Sequence, residues 1–314
     1  MDWLSHLLAM MPVTGRLDLR CHYGAPWRID QPGADAGTMA YHALLAGSAT
    51  VEDPLGGPPH QLRGGDILLI PSGLPHSLHD GSGASPVPAR DRPGLNLTFS
   101  ENGGGDHAEP GSRLDMLCGQ FVTSVQHNRL FRAYLPPLLI VRGGKSAAGA
   151  RVASLLGLMR AEADNESLGG RALLNALSAA LFALTLRLAG EAATAPAGLL
   201  ALAAHPRLAP ALTAMFDAPA RPWTLPDLAR LCHMSRATLA RHFQKNLGRS
   251  AAELLLDIRM TTAANELRKP LRSAGAVAEA AGYQSEAAFQ RVFKQHMGVT
   301  PAQWRRAARL GGDE

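Results

Sequence analysis

Cysteine is scarce. Three residues in 314 are too few for a disulfide-stapled secreted domain. Aromatic residues reach only 5%, while Gly and Pro number 32 and 22, which predicts long loops. Charged residues make up 18% against 46% apolar, so global disorder is excluded and a large core can form. The short apolar run in MDWLSHLLAMMPVTGRLDLR has no basic region before it and does not read as an export signal. No uninterrupted apolar run is long enough to cross a bilayer. The nearest, 172–189 (ALLNALSAALFALTLRLA), is broken by Asn175, Ser178 and Arg187 and reads as an amphipathic helix of a soluble protein. A cytoplasmic globular protein without membrane contact is expected. Also missing are a Gly-rich phosphate loop, a Ser/His/Asp signature and paired carboxylates in a cleft setting, so an enzyme is not expected.

What is present is unevenly placed. From Arg221 to the C-terminus there are 15 Lys/Arg against 8 Asp/Glu, a net of +7. The remainder carries 16 basic and 18 acidic residues, a net of −2. A basic end joined to a slightly acidic one suggests that only one of them meets a polyanion.

The length fits two or three domains. Residues 15–80 read as short strands (MAYHALL, ATVED, DILLIP) split by Gly/Pro clusters. The polar stretch 81–112 predicts a flexible insertion, and RLDMLCGQFVTS resumes strand character. From 129 the periodicity turns helical, with apolar faces in 149–163 and 168–189. The expected organisation is a β domain over 1–128, a helical connector over 129–190, a linker over 191–220 containing one short helix, and a basic helical domain over 221–314.

The basic domain repeats itself. SRATLARHFQKNLG (Ser235–Gly248) lies over SEAAFQRVFKQHMG (Ser285–Gly298) at an offset of 50 residues. Each copy has a serine to cap a helix, apolar residues four apart, and a glycine to end it. A shorter helix precedes each (LARLC after Thr224-Leu-Pro-Asp227; VAEAAG), with tight turns at His233-Met234 and Gly282-Tyr283. This is the helix-turn-helix pattern, whose second helix enters the DNA major groove. One face of the first long helix holds Arg236, Ala237, Ala240, Arg241 and Gln244, opposite Leu239 and Phe243. The matching face of the second holds Glu286, Ala287, Gln290, Arg291 and Lys294. Arg reads guanine, Gln adenine, and Glu cytosine, so these faces carry base-reading chemistry. The helical stretch Ser250–Lys269 spans about 30 Å, close to one turn of DNA, so the two readers fit successive major grooves.

With HMSRATLARHFQKNLG, AGYQSEAAFQRVFKQHMG and the closing GVTPAQWRR, the last ~95 residues resemble the AraC-type transcription regulators. That resemblance implies seven helices, double-stranded operator DNA and RNA polymerase as partners, and activation of transcription. Trp304 stands where the family usually has Tyr.

The first half carries a second pattern. Gly65, Pro71, Gly73 and His76 follow the spacing G-x5-P-x-G-x2-H, a turn, a buried strand, a Pro/Gly corner and a histidine opening the next strand. This resembles the second motif of cupin β-barrels, with Asp80 where Asn is usual. The first cupin motif is incomplete: Met39-Ala-Tyr-His42 supplies one histidine, Ala40 stands where the other would be, and Glu52 follows. The expected fold is therefore α+β: a cupin-like β-barrel, a helical connector, and an all-α domain with two helix-turn-helix units. Among cupin-bearing AraC-type regulators the chain looks closest to those answering reactive chlorine or other oxidants.

Three readings of the sensor half stay open. In the first, Cys21, flanked by Arg20 and His22 whose charge would favour its thiolate, forms a disulfide with Cys118 on oxidation. Cys21, His42 and His76 are also a candidate Zn²⁺ site, which oxidation would open. In the second, a small organic effector fills the barrel and no cysteine matters. The third and most distant is a metal-dependent cupin enzyme fused to a DNA-binding domain. Cys232 reads as core, and the Ala/Leu-rich helices offer a surface for a homodimer.

Overall fold

A computed structural model describes residues 2–103, 113–124, 128–144, 146–192 and 196–310. They form two compact units, Pro12–Pro196 and a second made of Met1–Met11 with Ala197–Glu314. The chain opens with helix α1 (Trp3–Met10), followed by strands β1 (Thr14–Tyr23), β2 (Arg28–Gln31), β3 (Thr38–Ala46), β4 (Ser48–Val51) and β5 (His60–Arg63). Strands β6 (Ile67–Ile70), β7 (His76–His79), β8 (Ala89–Pro93), β9 (Thr98–Asn102) and β10 (Leu114–Val122) come next. Helix α2 (Asn128–Tyr134), strand β11 (Leu139–Val141) and helices α3 (Ala147–Asp164) and α4 (Gly170–Glu191) complete the first unit. The second unit continues with α5 (Leu199–Ala204), α6 (Ala209–Asp217), α7 (Leu225–Leu231), α8 (Arg236–Leu247), α9 (Ala251–Arg268), α10 (Ala274–Ala280), α11 (Glu286–Met297) and α12 (Pro301–Leu310).

In the Pro12–Pro196 unit a seven-stranded sheet (β11-β6-β3-β10-β1-β9-β8) faces a four-stranded one (β2-β7-β4-β5). The space between them is filled by Leu44, Val51, Leu62, Leu68, Ile70, Leu78 and Met116, with Cys21 and Cys118 among them. The other face of the large sheet carries Tyr41 stacked on Phe121 (4.4 Å between centroids), and Phe182 of α4 packs on Phe121 at 4.9 Å. The polar interruptions in the apolar 172–189 stretch are used here. Asn175 accepts a hydrogen bond from Leu17 N at the β1 bulge, and Ser178 pairs with the Tyr41 hydroxyl at 2.8 Å. Helix α4 is long and apolar enough to cross a membrane, yet Leu174, Leu181, Phe182 and Leu186 are buried within this unit.

Three expected boundaries are corrected. The polar stretch 81–112 is not simply an insertion: β9 pairs parallel to β1 and β8 completes the edge, with Arg92 over the Phe99 ring at 4.5 Å. Residues 104–112 lie outside the described residues. The connector 129–190 is no separate body, since β11 pairs with β6 and α3 and α4 cover the sheet. Finally, α1 belongs with the C-terminal unit rather than with the β domain. Its Trp3, Leu7 and Met10 recur at helical spacing; Trp3 meets Phe216 at 6.5 Å and Asn265 donates to the Met10 carbonyl at 2.6 Å.

In that unit α5 and α6 occupy much of the expected linker and bury Leu199, Leu200, Leu202, Leu212 and Met215. Helices α6–α12 supply the seven helices implied by resemblance. The two turns before the reading helices are closed alike: Met234 N bonds Ala229 O, and Tyr283 N bonds Ala278 O. Both need one left-handed residue, filled by His233 (φ 49°) in one copy and Gly282 (φ 81°) in the other. At Gly282 a Cβ would also collide with the Ala220 carbonyl oxygen. Gly282→Ala is therefore expected to destabilise this unit by about 2 kcal/mol or more, read by thermal denaturation. A melting point equal to the wild type would show that the turn relaxes freely.

Candidate functional site

The candidate nucleic-acid face is built by two capped helices. Ser235 accepts from Thr238 N and Ser285 from Ala288 N, and left-handed Gly248 and Gly298 end α8 and α11. Each helix buries only two residues, Leu239 and Phe243 in α8, Phe289 and Phe293 in α11. That burial fixes which face points outward. Arg236, Ala237, Ala240, Arg241 and Gln244 on α8, and Glu286, Ala287, Gln290, Arg291 and Lys294 on α11, are all exposed. Gln290 donates to Glu286 at 2.9 Å, so on α11 these two are pre-oriented by each other. Helix α9 between the readers has 18 residues, or about 27 Å. Trp304 fills the aromatic place, donating to the Ala264 carbonyl (3.1 Å) and standing edge-on to Phe293.

The second site lies between the two sheets of the β unit. On β10, Cys118 sits directly opposite His42 of β3, and on β1 it is opposite Leu19, two residues from Cys21 on the same face. The Cys21 and Cys118 sulfurs are 3.8 Å apart, and both residues are buried. Cys118 Sγ lies 3.1 Å from His42 Nδ1, and His42 Nε2 lies 2.8 Å from His76 Nε2. His76 Nδ1 lies 3.2 Å from the Leu74 carbonyl. That carbonyl decides every proton in the row, because it only accepts. His76 must carry its proton on Nδ1, so its Nε2 accepts from His42 Nε2–H. His42 Nδ1 is then a bare acceptor 3.1 Å from Cys118 Sγ, competing with the Cys21 sulfur for the one Cys118 proton.

Electrostatics separate the two thiols. The hydrogen bond from Cys118 favours the Cys21 thiolate, outweighs burial, and lowers the Cys21 pKa. Cys118, giving that bond and buried beside the charge, is held well above the ordinary thiol range. Burial, with His76 adding to it, pushes His42 down to about 3, so it stands neutral.

Two expectations about this site are corrected. Arg20 and His22 do not act on Cys21. Neighbours along a strand point to opposite faces, and both side chains turn to Asp115 on the far side of β1. The zinc triad Cys21, His42 and His76 does not assemble either. Cys118, not Cys21, meets His42, and both His42 nitrogens are engaged. Glu52 pairs with His79 (2.9 Å), and no group of three or more His, Cys, Asp or Glu among the described residues is disposed to hold a metal.

The far side of β1 holds a network that sequence reasoning missed. Arg20, 2% exposed, forks onto both Asp115 carboxylate oxygens at 3.1 Å and also pairs with Asp164 of α3. His22 Nε2 reaches Asp115 at 3.0 Å. Burial alone would raise the Asp115 carboxyl, but the His22 and Arg20 hydrogen bonds and the Arg20 charge prevail and hold it at about 2. The period-two alternation of Arg20, Cys21 and His22 was the signal available for this.

The cupin family profile matches residues 2–189, and a helix-turn-helix domain profile matches 228–307. An uncharacterized HTH-type transcriptional regulator of Haemophilus influenzae is 30% identical over 99% of this chain and 100% of its own. The RCS-specific HTH-type transcriptional activator RclR of Escherichia coli is 27% identical over 98% of this chain and 99% of its own. Among solved structures, the DNA-binding domain of AdpA in complex with a target DNA is 28% identical, covering 31% of this chain and 86% of that one, with a TM-score of 0.29. With a double helix-turn-helix after a two-sheet cupin unit, this chain belongs to the AraC-type transcription regulators that carry an N-terminal cupin domain.

Proposed function

We propose that this regulator switches its DNA binding through oxidation of Cys21 and Cys118 by a small, uncharged oxidant such as hypochlorous acid. The observation that carries the reading is the 3.8 Å approach of the two sulfurs with a neutral histidine behind one of them. Their burial favours a small neutral oxidant over a bulky or charged disulfide. The Cys21 thiolate attacks the chlorine of hypochlorous acid, giving a sulfenyl chloride and hydroxide. Cys118 then attacks the Cys21 sulfur, chloride leaves, and a disulfide forms. The Cys118 proton goes to His42 Nδ1 while His42 passes its Nε2 proton to His76, and the hydroxide finally takes it up. Two electrons leave the thiols and reduce the chlorine to chloride. Closing the sulfurs to a bond length of about 2.05 Å ties together residues two positions off register on the paired strands β1 and β10, a skew of that ladder that would be felt downstream. Transcription activation with RNA polymerase, and a homodimer, complete the reading by family likeness.

A second reading has one observation in its favour. The space between the sheets is packed, but a cleft of about 730 Å³ lies at the β11 and α4 edge of the unit, lined by His60, Leu138, Ile140, Arg142, Leu188 and Glu191. Its size suits a small organic effector. The two readings part on one experiment: binding of the full-length protein to the DNA upstream of its own gene, reduced and after stoichiometric hypochlorous acid, with Cys21→Ser alongside. A change of at least about tenfold in affinity, or a changed footprint, in the wild type alone is expected. Identical behaviour of both proteins would reject the thiol switch and leave the cleft.

A further inference from the structure

Asp257 is a buried carboxylate in the middle of α9, its side chain 4% exposed, and neither the base-reading faces nor the thiol site uses it. It holds groups from both helix-turn-helix units. His296, in the last turn of α11, donates from Nε2 to Asp257 Oδ1 at 3.0 Å. Arg249, the residue between the end of α8 and the cap of α9, reaches Asp257 Oδ2 at 3.5 Å. One side chain on the spacer helix therefore ties down the exit of the first reader and the end of the second.

The surrounding apolar core (Met260, Ala264, Leu267, Val277, Phe289, Phe293) supplies cohesion, but apolar packing has little directional preference. Charge-assisted hydrogen bonds have it, and burying a carboxylate is costly unless its bonds are used. An apolar residue here would serve stability as well. A charge held from both sides serves registry. We infer that Asp257 is a positioning residue that sets the spacing and phase at which α8 and α11 meet DNA, and so makes the protein selective for the distance between its two half-sites.

The test uses the full-length protein and a duplex selected by the wild type from a randomised pool, together with the same duplex carrying one extra base pair between the half-sites. The insertion moves the second half-site by about 3.4 Å and about 35°. The wild type is expected to bind the inserted duplex about 30-fold or more weakly. Asp257→Asn is expected to cut that penalty to under about threefold while still binding the parent duplex. His296→Gln, which keeps a donor in place, should retain most of the discrimination, and His296→Leu should lose it. If Asp257→Asn does not fold, His296→Leu and Arg249→Leu, each of which removes a donor to Asp257, carry the same readout. Equal losses on both duplexes would reduce Asp257 to a structural role and overturn the inference. So would a wild type indifferent to the insertion.

Discussion

Replacing Arg20 by methionine is expected to remove about 3–5 kcal/mol from the β unit, a fall in melting temperature of about 6–20 °C for a unit of this size. The reason is asymmetric. Arg20 and Asp115 are both buried, and the fork between them, supported by Asp164 and His22, offsets the cost of taking the charges out of water. Methionine fills the space but leaves the Asp115 charge without its main counter-ion. Adding Asp115→Leu should recover much of the loss, because a pair replaced by apolar groups costs far less than a pair broken. The pH dependence has a definite sign. Asp115 titrates at about 2 in the folded chain and at about 3.9 when unfolded, so its contribution is fully present above pH 4 and is lost as pH falls toward 2. Wild-type melting should therefore drop across that window, whereas Arg20→Met should show a smaller drop. A variant within about 1 kcal/mol of the wild type at neutral pH would show that the pair does not hold β1, β10 and α3 together.

The second large effect concerns DNA. Arg241 and Arg291 stand at equivalent places on the separate helices α8 and α11, both exposed. Each alanine substitution is expected to cost about 1–3 kcal/mol in specific binding. Independent sites add, so the double variant should lose about 2–6 kcal/mol, a weakening of about 30-fold to ten-thousandfold. Random duplex should lose much less. Titration against a selected and a random duplex at several salt concentrations checks this. Base readers leave the salt slope nearly unchanged, whereas each lost phosphate contact lowers it by about one. Equal losses on both duplexes, with a shallower slope, would reassign both arginines to the backbone.

What could be read along the chain was whatever depends on near neighbours. The serine caps, the four-residue spacing of Leu239 and Phe243 and of Phe289 and Phe293, and the closing glycines are local rules, and they fixed the outward faces of both readers residue by residue. The corner at Gly65, Pro71, Gly73 and His76 was legible for the same reason, as a turn, a strand and a turn. Boundaries failed where composition misled: a polar stretch hid β8 and β9, and the short apolar run at the N-terminus hid a helix that packs with the distant C-terminal unit.

The sites, in contrast, depend on register. Cys118 meets His42 across 76 residues and Cys21 across 97, and a slip of one residue in β1 would turn Cys21 outward and Arg20 inward. Charge beside Cys21 in the chain therefore said nothing about charge beside its sulfur. Asp257 and His296 stand 39 residues apart, and no spacing rule marks them. By itself the sequence determined which Arg, Gln, Glu and Lys side chains two capped helices would turn outward, because periodicity and capping act within a few residues. Only the tertiary structure decided which thiol faces a histidine, which arginine is buried against a carboxylate, and which aspartate joins the two readers. Those choices are made by strand register and helix packing between residues far apart in the chain.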